Sequence, residues 1–446
     1  MSANPRFIIV GGGLGGALLA CYLGRAGYAV DVYELRGDMR VAGYSGGRSI
    51  NLAISHRGLA ALERVGLRDE ILSLAVPMRG RVIHSPTGEI SFQPYGKDDS
   101  QCIHSVSRGG LNIALLKAAS RHANVRMHFH QKCTGVDVTT GAVSFNHTET
   151  NEKTVVEDGI VLSADGAFST VRRSMQKMDR FDFSQEYLAH GYKELFLPAS
   201  PDGGFCMEPN ALHIWPRRSY MMIALPNGDG SYTCTCFWPI EGSPSFTALQ
   251  TEADVDRFFR QHFPDAVPLM PTLTHDYFAN PVGTLVTVRC QPWHMEDRIL
   301  LLGDAAHAIV PFYGQGANAA FEDVLVLDEC LALHQPDWKT AFARFFELRK
   351  RHTDVLADLA IKNFIEMRDH TGSRRFRYKK KAEKWLQRLL PTWYVPLYTM
   401  VSFTRIPYAE AVERARKQRN VVIAGAGALG MAIFFSVLMV AARFLR

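Results

Sequence analysis

The 446-residue sequence predicts an α/β fold in which a Rossmann-like domain, assembled from separated segments, is joined to an antiparallel β-sheet domain, a C-terminal helical region and a C-terminal transmembrane helix. Three observations carry this expectation. A strand, a Gly-rich turn, a helix and a second strand open the chain. A later strand ends in Asp304 and runs into another Gly-rich turn and helix, and an uncharged apolar run closes the sequence.

The first unit begins with the β-branched run Phe7-Ile8-Ile9-Val10, followed by Gly11-Gly12-Gly13-Leu14-Gly15-Gly16 and an Ala-rich apolar helix to about Ala26. A second strand, Ala29 to Tyr33, ends at Glu34. This is the dinucleotide-binding pattern in its required context. Gly11 permits the tight turn, Gly13 lets a pyrophosphate approach the backbone, Gly16 brings helix against strand, and Glu34 can bind ribose hydroxyls. The similar spacing Gly425-Ala426-Gly427-Ala428-Leu429-Gly430 is set aside, because no acid follows it before the chain ends.

The later unit is Leu301-Leu302-Gly303-Asp304-Ala305-Ala306-His307-Ala308, then Pro311-Phe312-Tyr313-Gly314-Gln315-Gly316-Ala317-Asn318 and a helix from Asn318 to about Leu333. An acid at a strand end can accept hydrogen bonds from ribityl hydroxyls. Free N–H groups at a helix start can face the pyrimidine edge of a flavin, which becomes anionic on reduction. Paired with the opening unit, this segment describes a flavin site. Between the two stands Leu162-Ser163-Ala164-Asp165-Gly166, leading to Arg172-Arg173, which can set a carboxylate near a cofactor and cations near phosphate.

The remaining elements follow in order. Leu111 to Ala123 reads as a helix, Val125 to Phe129 as a strand, and Tyr187 to Val288 as strand-rich, with Tyr220 to Leu225 and Tyr232 to Phe237 around a turn at Pro226-Asn227-Gly228. Helices dominate from Asn318 to Arg419. The expected division is 1–80, 101–186 and 286–340 for the nucleotide-binding domain, 81–100 and 187–285 for the substrate domain, 341–420 for the helical region, and 421–442 for the membrane span. Eight scattered Cys, with Cys234 and Cys236 the sole close pair, read as reduced thiols without a metal site.

Val421 to Ala442 is 22 residues without a formal charge, which at about 1.5 Å per residue spans a bilayer core of ~30 Å. Arg368 to Arg388 holds nine Lys or Arg against Asp369 and Glu383, or +7 of the chain's +6, leaving the rest at −1. Such a patch beside an apolar tail suits an anionic lipid surface, and no reading motif points to nucleic acid. Arg414, Arg416, Lys417 and Arg419 before the run place the body on the cytosolic side, at the mitochondrial outer membrane in a eukaryote or the inner membrane in a bacterium. No cleaved signal is apparent, and small residues at Ala426 and Gly430 would let two such helices pack as a homodimer.

The glycine turn, Asp165-Gly166 and Gly303-Asp304, in that order, resemble the single-component FAD-dependent aromatic hydroxylases. Gly47-Arg48-Ser49-Ile50-Asn51-Leu52-Ala53, Pro77-Met78-Arg79-Gly80-Arg81, Gln93-Pro94-Tyr95-Gly96, the run Met207 to Arg217, Asn363-Phe364-Ile365-Glu366-Met367-Arg368 and Pro396-Leu397-Tyr398-Thr399-Met400-Val401 are similar, more narrowly, to the kynurenine 3-monooxygenase family. That resemblance implies an FAD-binding domain of the aromatic hydroxylase type and hydroxylation of L-kynurenine with NADPH and O2 through a flavin C4a-hydroperoxide, a step of tryptophan degradation. It implies that Arg81, Tyr95, Asn363 and Tyr398 hold the amino-acid end of the substrate. It implies FAD contacts from Gly11, Gly13, Gly15, Gly16, Glu34, Arg36, Ala53, Arg108, Cys133, Asp165, Asp304, Gly316, Ala317 and Asn318. No second Rossmann unit offers a place for NADPH. A hydroxylase of another arene, such as an anthranilate or a hydroxybenzoate, is the alternative enzyme. A non-catalytic binding protein on the same fold is the alternative of another class, against which Glu34, Asp304 and Arg108 argue.

Overall fold

The computed structural model describes residues 5–42, 51–370, 382–383 and 385–425. The opening strand Arg6–Val10 is buried in a six-stranded sheet between two parallel neighbours, Ala29–Tyr33 and Ile160–Ser163. Val125–His128 extends one flank; Ile299–Leu301 and the short antiparallel His294–Met295 extend the other. Continuous apolar runs such as Phe7-Ile8-Ile9-Val10 are what a strand covered on both faces requires. The helices Leu14–Arg25, Arg108–Ala119 and Gly316–His334 pack together as part of that cover. A three-stranded sheet of Gln131–Val136, Val143–His147 and Lys153–Val156 adds Val136, Val143, Phe145 and Val156 to the same core.

A seven-stranded sheet forms the second body, in the order Gly283–Gln291, Asp182–Leu197, Tyr232–Pro239, Met221–Pro226, Ala211–Pro216, Gly80–His84, Ile90–Pro94. All its neighbours are antiparallel except Ala211–Pro216 beside Gly80–His84. Strand alternation sends Trp215, Cys234, Cys236 and Trp238 to one face and Ile83, Ile214, Met221 and Phe237 to the other. The first face is sealed by helices Glu252–His262 and Leu273–Ala279, which the strand-rich reading of 187–288 did not anticipate. The signal was local: Thr251 and Asp254 form a reciprocal capping box ahead of the apolar face Val255, Phe258 and Phe259. The second face is turned towards the long helix Trp338–Ile365 and the turn Pro311–Tyr313, whose residues share its core.

The strands Asp182–Leu197 and Gly283–Gln291, neighbours in the seven-stranded sheet, run through the expected domain boundaries at 186/187 and 285/286. A further three-stranded sheet, Asn51–Ile54, Val76–Met78 and Ile103–Ser107, was not expected either. The helix read from Leu111 begins earlier, at Arg108, because the Ser107 hydroxyl accepts from the Gly110 N–H and caps it.

One element of the expected fold class is corrected. Of the expected membrane span, residues 421–425 continue a helix that starts at 408 and carries Glu410, Glu413, Arg414, Arg416, Lys417 and Arg419, so its described part is amphipathic and charged. Among the described residues no helix is long and apolar enough to cross a membrane, and the transmembrane helix is withdrawn from the fold. Residues 426–442 of that run, most of the basic stretch, and Gly47 to Ile50 lie outside the described residues.

The opening turn is the tightest point of the fold. A Cβ on Gly16 would stand 1.9 Å from the Gly11 carbonyl oxygen, and one on Gly11, itself at φ +102°, 2.5 Å from the Ala164 oxygen. Gly16→Ala must therefore push backbone from backbone, at a cost of about 1–3 kcal/mol. Urea unfolding of the apoprotein should show that loss; unchanged stability would mean that helix and strand can separate freely here.

Candidate flavin and substrate site

At the first turn, Gly13 caps the helix Leu14–Arg25 without any side-chain cap, so its first N–H groups are left for a ligand. A Cβ on Gly13 would meet nothing within 4 Å, which is the open space a pyrophosphate needs, while Gly15 faces the Cβ of Ala320 at 3.8 Å. Glu34 is buried at the end of its strand. Its Oε2 accepts from the Gly12 N–H at 2.7 Å, and its Oε1 accepts from the Arg36 backbone and guanidinium at 3.1 and 2.9 Å. An ionised carboxylate has about four acceptor positions, so ribose hydroxyls can still be received.

At the second turn, Gly303 adopts φ +58° and donates its N–H to Asp323 Oδ2 at 2.9 Å. Asp304 follows, open to solvent but set in a concavity. Burial raises its pKa, against the opposing pull of His307 and Arg108. The helix Gly316–His334 again starts without a side-chain cap, after Gly314 in the left-handed region. Asn318 ties this start down: its Nδ2 donates to the Ala53 and Gly314 carbonyls at 2.8 and 2.7 Å, and its Oδ1 accepts from the Ser55 N–H at 2.8 Å. Thus Ala53, Gly316, Ala317 and Asn318 are gathered at one helix mouth. Two uncapped helix starts and an open glycine turn fit a flavin dinucleotide.

Beneath that mouth runs a chain of buried charges that the sequence reading missed. Asp323 Oδ2 also accepts from His307 Nε2 at 2.6 Å, and its Oδ1 from Arg349 Nε at 2.6 Å. Arg349 reaches Glu322 at 2.6 Å, and Glu322 reaches Arg57 at 2.6 Å. Burial alone would raise both carboxyl pKa values; the arginines, and His307 at Asp323, reverse that and hold them below the ordinary range. No spacing rule joins residues 57, 307, 322, 323 and 349. The one available sign was an adjacent Glu-Asp pair inside an apolar helix.

The substrate-clamp candidates divide into a cluster and an outlier. Tyr95 and Tyr398 stack at 5.2 Å between ring centroids, and the Arg81 guanidinium lies 5.3 and 5.1 Å from those rings. Tyr313 stacks on Tyr398 at 5.7 Å. Arg81 Nε and the Tyr95 hydroxyl are buried without a well-directed hydrogen bond, although Arg81, Tyr95 and Tyr398 lie close enough to interact with one another. Two such orphans side by side indicate a polar ligand. Asn363 instead donates to the Phe312 carbonyl at 2.6 Å, which positions the Phe312 ring stacked on Phe364. A surface cavity of about 510 Å³ on the nearby edge hairpin is lined by Arg79, Phe92, Lys97, Asp99 and Arg388, and contains none of the four clamp candidates.

Other expected contacts are engaged within the chain. Asp165 accepts from the Ser163 hydroxyl and the Thr170 N–H at 2.6 and 2.7 Å, capping the helix Thr170–Met175. Arg172, read as a phosphate cation, is buried and donates to the Ala305 and Ala167 carbonyls, so it braces the Asp304 turn from behind. Cys133 lies in a strand, its thiol pushed up to about 12 by burial and by Asp165. Arg108 stands exposed in the first turn of its helix. Glu194, which no motif marked, alternates with Leu195 to face the opposite side of the sheet; burial lifts its pKa to about 7 against the pull of Arg108.

Comparison with known proteins decides the family. Residues 6–339 match a family described as FAD binding domain. A kynurenine 3-monooxygenase of Salinispora tropica is 50% identical over 95% of this chain and 94% of its own length, and one of Myxococcus xanthus is 49% identical over 91% and 87%. The chain belongs to the kynurenine 3-monooxygenase family. Among solved structures, the tetrameric form of 2-methyl-3-hydroxypyridine-5-carboxylic acid oxygenase superposes with a TM-score of 0.67 at 20% identity, covering 85% of this chain and 96% of that one, which is a likeness of fold. As a member of this family the chain is an FAD-dependent aromatic hydroxylase with NADPH as co-substrate.

The ion chain sets a pH prediction. Because the folded pKa values of Glu322 and Asp323 are depressed, their stabilisation is complete above the ordinary carboxylate range and is lost as pH falls through the lowered folded values, below about 4. Denaturant unfolding across pH should show stability falling there, less steeply in Asp323→Asn. At neutral pH, Arg349→Gln leaves two buried carboxylates short of charge and should cost about 3–5 kcal/mol. A loss under 1 kcal/mol in that variant would show that water reaches the cluster.

Proposed function

We propose that this chain hydroxylates L-kynurenine to 3-hydroxy-L-kynurenine, converting NADPH, a proton and O2 to NADP+ and water as one oxygen atom enters the ring. The observation that carries the assignment to an amino-acid-bearing arene is the orphaned pair, Arg81 Nε and the Tyr95 hydroxyl, beside the stacked Tyr398. An α-carboxylate matches the planar guanidinium fork. In this reading Arg81 and Tyr95 take that carboxylate, Tyr398 forms the wall, and Asn363 acts through Phe312.

Bound FAD supplies the redox chemistry: it accepts hydride from NADPH and activates O2 for transfer to the ring. The chain's own contribution is holding and shielding. The helix starts at Gly13 and Gly316, with Gly11, Gly15, Gly16, Glu34, Arg36, Ala53, Arg108, Asp304, Ala317 and Asn318 around them, are proposed to hold the dinucleotide and the isoalloxazine. Cys133 and Asp165 are proposed to approach it through backbone, since the Asp165 carboxylate caps a helix. The apolar face built from Ile214, Met221, Phe237 and Phe312 keeps water from the reacting carbon. The domain division is proposed as a nucleotide-binding body, a sheet body that carries the substrate site, and a helical region from 341 to 420.

NADPH oxidation with and without L-kynurenine, followed by product identification, tests the reading. Substrate should accelerate NADPH oxidation and yield 3-hydroxy-L-kynurenine; equal rates and only hydrogen peroxide as product would overturn it. Arg81→Ala removes a charge-assisted contact and should weaken kynurenine binding about ten- to a hundredfold, or roughly 1.5–3 kcal/mol. Tyr95→Phe should cost less, near 0.5–1.5 kcal/mol. Both losses should appear mainly in KM, being remote from the reacting carbon. Lost FAD with unchanged kynurenine affinity would reassign Arg81 to the cofactor.

A further inference from the structure

We propose that Arg57 is a positioning residue that couples the flavin turn to the substrate-side helix, so that the Gly303–Asp304 turn and the ring of Tyr398 are set by one contact chain. The inference rests on the functional reading above. Arg57 is the second residue of the helix His56–Arg64, two positions after Ser55, whose N–H is fixed by Asn318. Its side chain is wholly buried. The guanidinium is divided between two directions: Nη1 meets Glu322 Oε1 at 2.6 Å, while Nε donates to the Val401 carbonyl at 3.1 Å and Nη2 to that of Ile406.

Those two carbonyls matter because of where they stand. The helix Leu397–Phe403 is seven residues long, so its last carbonyls have no partners within the helix. Arg57 supplies one at Val401, one turn beyond Tyr398, and the cation also complements the C-terminal end of the helix dipole. The ring of Tyr408 lies 4.1 Å beneath the guanidinium and fixes its plane. In the other direction Glu322, Arg349 and Asp323 are joined by 2.6 Å contacts and lead to His307 at 2.6 Å and to the Gly303 N–H at 2.9 Å. A displacement of the Tyr398 helix therefore pulls on the carboxylates that hold the flavin turn. Every side chain in that path is nearly fully buried.

The test is a double-mutant cycle in holoenzyme between Arg57→Lys and Tyr398→Phe, read as L-kynurenine affinity and as the shift that L-kynurenine produces in the visible flavin band. Lysine keeps the charge for Glu322 but cannot fork to both carbonyls. Arg57→Lys should weaken kynurenine binding about five- to tenfold and diminish the spectral shift, with FAD occupancy kept. The Tyr398→Phe effect should shrink in the Arg57→Lys background. Additive effects, or a lower Tm with kynurenine affinity and spectral shift intact, would reduce Arg57 to a stabilising residue and overturn the proposal. If Arg57→Lys does not fold, Tyr408→Leu, which removes the ring beneath the guanidinium and leaves its ion pair, must show the same two losses, and their absence overturns it. Wild-type protein that binds no L-kynurenine at all would instead defeat the functional reading, and this inference with it.

Discussion

The buried run His307–Asp323–Arg349–Glu322–Arg57 is the constraint on which the site depends. Each ion removed from water costs several kcal/mol, and that cost is offset only when every partner is in place. Two arginines and two carboxylates balance one another, with His307 beside Asp323. A partly assembled version would leave a bare buried charge. The chain therefore has little freedom to place the helix Gly316–His334, the helix Trp338–Ile365 or the segment from Leu397 to Ile406 anywhere else. Replacing the five residues by well-packed apolar ones could give an equally stable core, but the Gly303 N–H would then lack its fixed acceptor.

The seven-stranded sheet solves a different problem. It must present Arg81 to a ligand while remaining a core element, and strand alternation lets it do both. One face is closed by Trp215, Trp238, Phe259 and Phe263 under two helices. The other face is thereby released from a purely structural duty. It can carry Glu194 and Arg81 among Ile83, Ile214, Met221 and Phe237, and can leave Arg81 Nε unsatisfied at a cost of about 1–3 kcal/mol. That cost is the usual form of preorganisation, and it is tolerable because the opposite face is so well packed.

The legible parts of this sequence were those in which the backbone itself is the functional group. The Gly11 to Gly16 turn, the strand Ala29–Tyr33 and the Gly303 to Asn318 turn were readable because positive φ, close approach and uncapped helix starts each demand particular residues within a few positions. What stayed hidden was made by long-range packing. Arg57 and Arg349 look like any helical arginines, and their partners lie hundreds of positions or a full helix away. Arg172 looked like a phosphate ligand because side-chain type was legible and direction was not; it points back to Ala305. The apolar run after Val421 misled in another way, since hydropathy was read from where charge stops, although the helix entering it is charged on every turn.

In the clamp, Arg81 is faced by the rings of Tyr95 and Tyr398 and feels the charge of Glu366. A carboxylate held against the guanidinium would already fill the place of the ligand, and substrate would have to displace it. Tyr95 and Tyr398 give the cation two ring faces, at 5.3 and 5.1 Å, which favour the charge. Burial pushes the Tyr95 phenol upward, which favours its neutral, donating form. The site is thus cationic and donor-rich before substrate arrives, and a ligand bringing one carboxylate at the far end of an uncharged ring completes it. On the proposed function, selection of the amino-acid end and orientation of the ring follow from that buried guanidinium.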